Sequence, residues 1–394
     1  MATIKKQGKG YKITVSNGYD LTGKQIRTHM TWVPEPNMTA KQIEKELNRQ
    51  SVLFEENVKK GACFSGNMKF AEFIDLWIQD YGNAQLKART LLRYEELAIR
   101  VKASIGHVRL DRLTPKHLLD FYALLAEPGQ NQRTGGGMSP KSIKHYHTFI
   151  SSVLGRAVKW GLLSDNPARR IDAPKVPKES LSFLDEREIQ IFAKALDDEP
   201  IMWRALFCIL ALTGMRRGEV LGLEWPDIDF DQNTILITRT SQYSPTLGIY
   251  TDTPKTESSK RRISMSESLS DLLRLYKSEQ TDRIQSLGDF WVPEWHDAPR
   301  LFTQDNGKPM HPNAPYQRFQ RILQRCGLPH VSLHSLRHTN ASLLIQSGAD
   351  IRTVSGRLGH SQTSTTLNVY AEFLHSADEL AAQNVSNAIL GGKG

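Results

Sequence analysis

The segment Asp172-Ala173-Pro174-Lys175-Val176-Pro177-Lys178 interrupts the chain just short of its midpoint. Each proline fixes its own φ and pushes the residue before it out of the helical region, so the stretch stays extended. Its lysines keep it in water, and it reads as a linker between folded parts. A chain of 394 residues exceeds one ordinary core, and two or three domains are expected.

Periodicity says what lies on either side. Residues 1–62 read as a small β-sheet-plus-helix domain. Tyr11-Lys12-Ile13-Thr14-Val15-Ser16 and the run from Ile26 to Val33 alternate apolar with polar residues, joined by a turn at Asp20-Leu21-Thr22-Gly23. Thr39 with Gln42 forms a capping box, and Ile43, Leu47, Phe54 and Val58 then share one helical face. Lys5, Lys6, Lys9, Lys12, Lys24 and Arg27 decorate the strands.

Residues 68–165 read as four helices. Phe70, Phe73, Ile74, Trp77, Ile78 and Tyr81 make one apolar stripe, and Leu91, Tyr94, Leu97, Val101 and Ile105 make the next. Thr114-Pro115 and Ser139-Pro140 start two more, each with proline at the first helical position. The polar, glycine-rich stretch from Gln130 to Gly137 separates them. Residues 180–385 read as a mixed, mainly helical domain with a small β-sheet, opened by an Asp185/Glu188 cap, and 386–394 as a tail. A strand is expected over Thr234 to Thr240. The whole is multidomain α+β.

The net charge of +9 favours a polyanionic partner without proving one. Cys63, Cys208 and Cys326 are too scattered for a disulfide framework or a zinc spacing. With no signal peptide and no bilayer-long apolar run to be read, a cytoplasmic protein without a membrane partner is expected. Gly61-x-x-x-x-Gly66 imitates a phosphate loop, but Asn67 stands where lysine is required. Gly8-x-Gly10 lacks its third glycine. His334 and His338 stand four apart, but no third ligand is evident, so neither metal nor cofactor is expected.

The chemistry concentrates in the last half. Thr213-Gly214-Met215-Arg216-Arg217-Gly218-Glu219 is followed by His334-Ser335-Leu336-Arg337, then Leu358-Gly359-His360, then Tyr370. Arginine carries a permanent charge in a fork that matches phosphate oxygens. Histidine moves protons near neutrality. A tyrosine hydroxyl, with an ordinary pKa of about 10, needs such help to act as a nucleophile. The set suits attack of a phenol on a phosphodiester.

This ordered constellation resembles the tyrosine recombinases of the phage-integrase family. The resemblance places Arg216, Lys255, His334, Arg337, His360 and Tyr370 on the family's catalytic positions. It selects Arg216 over its neighbour Arg217 through the pattern Thr-Gly-x-Arg. It puts the family's lysine in a β-hairpin running through Thr253-Pro254-Lys255-Thr256 and Ser259-Lys260-Arg261-Arg262-Ile263, where Lys260 is a rival to Lys255. Glu219 is expected to orient an arginine or cap a helix.

The resemblance further implies that residues 1–62 are an arm-type DNA-binding domain, 68–165 a core-binding domain and 180–385 the catalytic domain. Double-stranded DNA with core and arm sites would be the partner, bound by a homotetramer. An excisionase or a host DNA-bending protein is a candidate accessory. The stretch carrying Ala371, Phe373, Leu374, Leu380, Val385 and Ile389 would be an amphipathic helix docking in cis or on a neighbour. The expected activity is site-specific integration or excision of a mobile element through a 3′-phosphotyrosyl bond. The competing readings are an Xer-type resolvase and a DNA-binding regulator with an inactive site.

Overall fold

The computed structural model describes residues 2–19, 23–59, 68–177, 182–252, 260–291 and 300–359. The chain divides into two compact units, Met1–Glu179 and Ser180–Gly394.

The first unit begins with an antiparallel sheet of β1 (Thr3–Gln7), β2 (Gly10–Tyr19) and β3 (Gln25–Trp32), in that order. Alternation on β2 sends Ile13 and Val15 into a small core with Leu47, Phe54 and Val58 of α1 (Ala40–Lys59). The capping box forms: the Thr39 N–H donates to Gln42 Oε1 at 2.8 Å, and the Gln42 N–H to Thr39 Oγ1 at 3.4 Å. Strand β1 was not expected from sequence, because Thr-Ile-Lys-Lys-Gln has one apolar residue and lies exposed along its whole length. Gly8, with φ of 62°, makes the β1–β2 turn; its resemblance to a nucleotide loop is thus explained by the hairpin.

Four main helices follow. The first stripe becomes α2 (Phe70–Trp77), continued by a π-helical turn at Ile78–Gly82 and the short α3 (Asn83–Gln85). Then come α4 (Ala88–Ile105), α5 (Pro115–Ala126) and α6 (Pro140–Lys159). The aromatic residues are core, as their spacing suggests: Phe70, Phe73, Trp77, Phe121 and Phe149 are all but inaccessible. Ser139 caps α6 by accepting the Ser142 N–H at 3.2 Å.

The second unit opens on the predicted cap, with Asp185 and Glu188 exchanging bonds of 2.9 and 2.7 Å at the start of α7 (Glu186–Ala195). Next come α8 (Ile201–Thr213), the one-turn α9 (Arg217–Val220), β4 (Ile228–Asp229), β5 (Thr234–Ile237), β6 (Thr240–Ser244), β7 (Gly248–Asp252) and β8 (Arg261–Ser264). Four helices close the described part: α10 (Glu267–Leu287), α11 (Ala314–Arg325), α12 (Ser335–Gln346) and α13 (Ile351–Leu358). One apolar core runs through these elements up to Leu336 of α12, leaving out the β6–β7 ribbon, and Ala341, Ile345, Val354 and Leu358 knit α12 to α13.

Two expectations need correcting. The strand expected over Thr234 to Thr240 is two strands in two sheets. It breaks at Thr238-Arg239 because Arg239 turns inward to ion-pair with Glu224 at 3.0 Å and with Asp227. The two strands that flank residues 253–259 are also not each other's partners. β7 pairs with β6 in a two-stranded ribbon, whereas β8 pairs with β5. Lys255 itself, with Cys63, the segment Gly61 to Asn67, His360, Tyr370 and the tail, lies outside the described residues.

Candidate active site

The site grows from the end of α8. Thr213 returns its hydroxyl to the Ile209 carbonyl at 2.6 Å and accepts the Met215 N–H at 3.2 Å, which shapes the turn. Gly214 ends the helix in the left-handed conformation, φ 64°, where a side chain would be strained. A Cβ there would also lie 2.7 Å from Leu358 Cδ2 and 2.8 Å from Asn340 Oδ1. This is the physical content of Thr-Gly-x-Arg: the chain reverses tightly, buries Met215 and presents Arg216 as the N-cap of α9.

His334-Ser335-Leu336-Arg337 forms the first turn of α12, with His334 as N-cap and the Arg337 N–H donating to the His334 carbonyl at 3.1 Å. Residues three apart on a helix share a face, so His334 and Arg337 look the same way while Leu336 enters the core. Arg337 is 3% exposed and donates Nη1 to the Gly214 carbonyl at 2.8 Å, tying this turn to the α8–α9 junction. Asn340 adds a bond to the Ala211 carbonyl at 2.8 Å.

Glu219 organises the centre. Its buried carboxylate accepts the Arg216 backbone N–H at 2.9 Å and Arg216 Nη1 at 2.8 Å. The same carboxylate accepts Arg261 Nη1 at 3.2 Å and Nη2 at 2.9 Å. Arg216 Nη2 donates to the Gly359 carbonyl at 3.0 Å. The Arg216 side chain is 40% exposed while its Glu219 partner is 6% exposed. The guanidinium is therefore anchored from below and open to a ligand above. Arg357 completes the ring of cations, bonding the Ser264 carbonyl at 3.2 Å and the Leu212 carbonyl at 3.0 Å. Glu219 pairs with two arginines while Arg337 and Arg357 donate to carbonyls, which leaves an excess of positive charge, as an oxyanion site requires.

The electrostatics agree. Desolvation would raise the Glu219 pKa, but the hydrogen bonds and charge of Arg261, then Arg216, override it and hold the carboxyl below its usual range. Burial, then the charges of His338, Arg337 and Arg216, push His334 down to about 4. His334 is therefore neutral at pH 7, with one ring nitrogen able to accept and the other to donate. Its ring meets His338 edge to face, 5.0 Å between centroids. It also lines a cleft of about 360 Å³ with Met215, Arg217, Gly218 and Tyr316.

Of the six residues singled out from sequence, Arg216, His334 and Arg337 come together here; Lys255, His360 and Tyr370 lie outside the described residues. Glu219 does both things expected of it. Sequence reasoning missed Arg261 and Arg357. A signal for Arg261 was present: it stands two before buried Ile263 on β8 and so points inward. Arginine on a buried strand face calls for a carboxylate. Arg357 carries no such mark.

The sequence description of the phage integrase family matches residues 182–376, and that of the phage integrase SAM-like domain matches residues 69–173, together more than half the chain. A tyrosine recombinase XerC-like protein of Caldanaerobacter subterraneus subsp. tengcongensis is 26% identical over 98% of each chain. The ICEBs1 integrase of Bacillus subtilis is 25% identical over 98% of this chain and 100% of its own. Among solved structures, the Tn1549 transposon integrase in complex with a circular intermediate DNA shares the fold with a TM-score of 0.64, at 21% identity over 80% of this chain and 100% of that one. A lambda integrase dimer bound to a core site gives 0.55 at 17% identity, over 77% of this chain and 95% of that one. The chain belongs to the phage integrase family and is a tyrosine site-specific recombinase.

Proposed function

We propose that the protein integrates and excises a mobile DNA element by cutting and rejoining strands through Tyr370. The observation that carries this reading is the convergence of Arg216 and Arg337 beside a neutral His334, on a scaffold that contributes one carboxylate. Arg216 and Arg337 hold the non-bridging oxygens of the scissile phosphate and stabilise the charge that builds in the pentacovalent transition state. Tyr370 Oη forms a bond to phosphorus as the P–O5′ bond breaks. The electron pair leaves on O5′, which takes a proton from Lys255. His334 takes the tyrosine proton, and His360 hydrogen-bonds the phosphate. The ester conserves the bond energy, so a 5′-hydroxyl from a partner strand reverses the attack without ATP. Two duplexes cut on both strands call for four protomers.

The N-terminal sheet supports the mobile-element reading over a resolvase. Lys5 pairs directly with Lys12, and Thr14 with His29 and Ser16 with Arg27, on the face opposite Ile13 and Val15. Like charges across a strand pair are destabilising unless an anion covers them. We assign this face to arm-site phosphates and the four-helix domain to the core site, with an excisionase or a DNA-bending protein as accessory.

The test is a nicked suicide substrate carrying the core site. Wild-type protein is expected to form a covalent adduct, and Tyr370→Phe to bind the same DNA without one. An adduct from the Phe variant would remove Tyr370 from the reaction.

A further inference from the structure

Arg261 stands at a junction that the catalytic scheme does not use. It begins β8, immediately beyond the segment that carries Lys255. Its side chain is 8% exposed, and its Nε, Nη1 and Nη2 all donate to protein acceptors rather than facing a ligand. Among the described residues it donates Nη1 and Nη2 to the two oxygens of Glu219, and Nε to the Arg357 carbonyl at 2.9 Å. The last is a bond to the final turn of α13, the helix from which the chain leaves toward His360.

An independent feature shows that the fold is shaped around this guanidinium. Gly359 ends α13 with φ of 66°, and a Cβ on it would lie 2.8 Å from Arg261 Nη1 and 2.9 Å from Cζ. The Gly359 carbonyl in turn accepts Arg216 Nη2 at 3.0 Å. Glu219, Arg261, the turn at residues 357–359 and Arg216 are thus joined by hydrogen bonds into a closed ring.

We propose that Arg261 is a positioning residue for strand cleavage: it aims Arg216 through Glu219 and holds the C-terminus of α13 against the same ring. The phosphate-binding arginine and the segment leading to His360 and Tyr370 are then presented together. This role rests on the recombinase reading given above. Lysine cannot replace arginine here, because a single ammonium does not span both Glu219 oxygens and a carbonyl.

The test compares wild-type, Arg261→Lys, Arg216→Ala and the double variant, all as full chains. Arg261→Lys keeps the positive charge beside Glu219 and is expected to stay cooperatively folded and to keep core-site affinity. Its single-turnover cleavage of a suicide substrate should fall about 100-fold, the usual consequence of a small misplacement. In the Arg216→Ala background, Arg261→Lys should cost almost nothing more, since its effect passes through Arg216. Wild-type cleavage by Arg261→Lys would overturn the proposal, and so would full multiplicative losses in the double variant. A parallel readout needs no catalysis. The Arg216 side-chain 15Nη signals should show slow rotation in the wild-type protein and lose it in Arg261→Lys. If they change this way while wild-type protein forms no adduct with any DNA, the recombinase reading fails and the ring stands. If they do not change, the ring does not hold Arg216.

Discussion

Glu219 grips Arg216 at both ends, accepting its backbone N–H at 2.9 Å and its Nη1 at 2.8 Å. The same carboxylate faces Arg261, so it is the counter-charge for two guanidinium groups at once. Glu219→Gln keeps the size and removes the charge. Leaving a buried arginine without its partner is expected to cost about 3 kcal/mol. Hydrogen exchange at the amides of α8 in the full chain would read this as an opening free energy. A loss below about 1 kcal/mol would mean that water screens the pair as it does at a surface.

His334 sets a pH dependence. Burial first, and then the neighbouring positive charges, hold its folded pKa at about 4, whereas an unfolded histidine titrates near 6.5. Between those values the unfolded chain binds a proton that the folded chain refuses. Stability from this group is therefore complete above about pH 6.5 and declines as the pH falls toward 4. His334→Gln should flatten that part of the profile. Imidazole NMR should place the His334 midpoint far below 6.5 in the free protein and raise it when inorganic phosphate is added. A free-protein midpoint at or above 6.5 would contradict the neutral assignment.

Gly214→Ala should damage both stability and cleavage. The residue is at φ 64°, and the new methyl group would meet Asn340 and Leu358. Strain of this kind costs about 1–3 kcal/mol, and the Gly214 carbonyl that anchors Arg337 would shift with it. Gly248→Ala is the control, because φ is 67° there but nothing lies within 4 Å of the added carbon. It should lower the unfolding midpoint slightly and leave cleavage intact. Equal cleavage losses in both would show that the Arg337 anchor is not what matters at Gly214.

Lys255, assigned as the general acid, is separable from Lys260 by leaving-group chemistry. A 5′-phosphorothiolate departs without a proton, so it should rescue Lys255→Ala far more than Arg337→Ala. Rescue of Lys260→Ala in its place would move the role to that residue.

Removal of residues 1–62 should leave suicide-substrate cleavage at the core site and abolish salt-sensitive binding to a second site. Lys5→Ala with Lys12→Ala should reproduce part of that loss and flatten the salt dependence, each phosphate contact contributing a slope of roughly one. Undiminished recombination by the truncated chain on every substrate would favour a resolvase instead.

Much was legible along the chain because it is local. Helix caps at Thr39, Ser139 and Asp185 are written within four residues, and the stripes through Phe70 and Trp77 follow from a 3.6-residue period. The motif residues Arg216, His334 and Arg337 are legible for a similar reason, since a tight αL turn and a single helical turn define their surroundings. Long-range pairing was not legible. Nothing near Thr240 says that β6 turns to β7 while β5 takes β8, because the ion pairs of Arg239 at the break, with Glu224 and Asp227, form only when the chain has folded. Nothing around Arg261 names Glu219, 42 residues away, or Arg357, 96 residues away. Sequence by itself determined how Arg216, His334 and Arg337 are each capped or turned. Only the tertiary structure decided that one buried carboxylate would hold the arginines in register, because buried charges take whichever partners the packing of distant elements brings within reach.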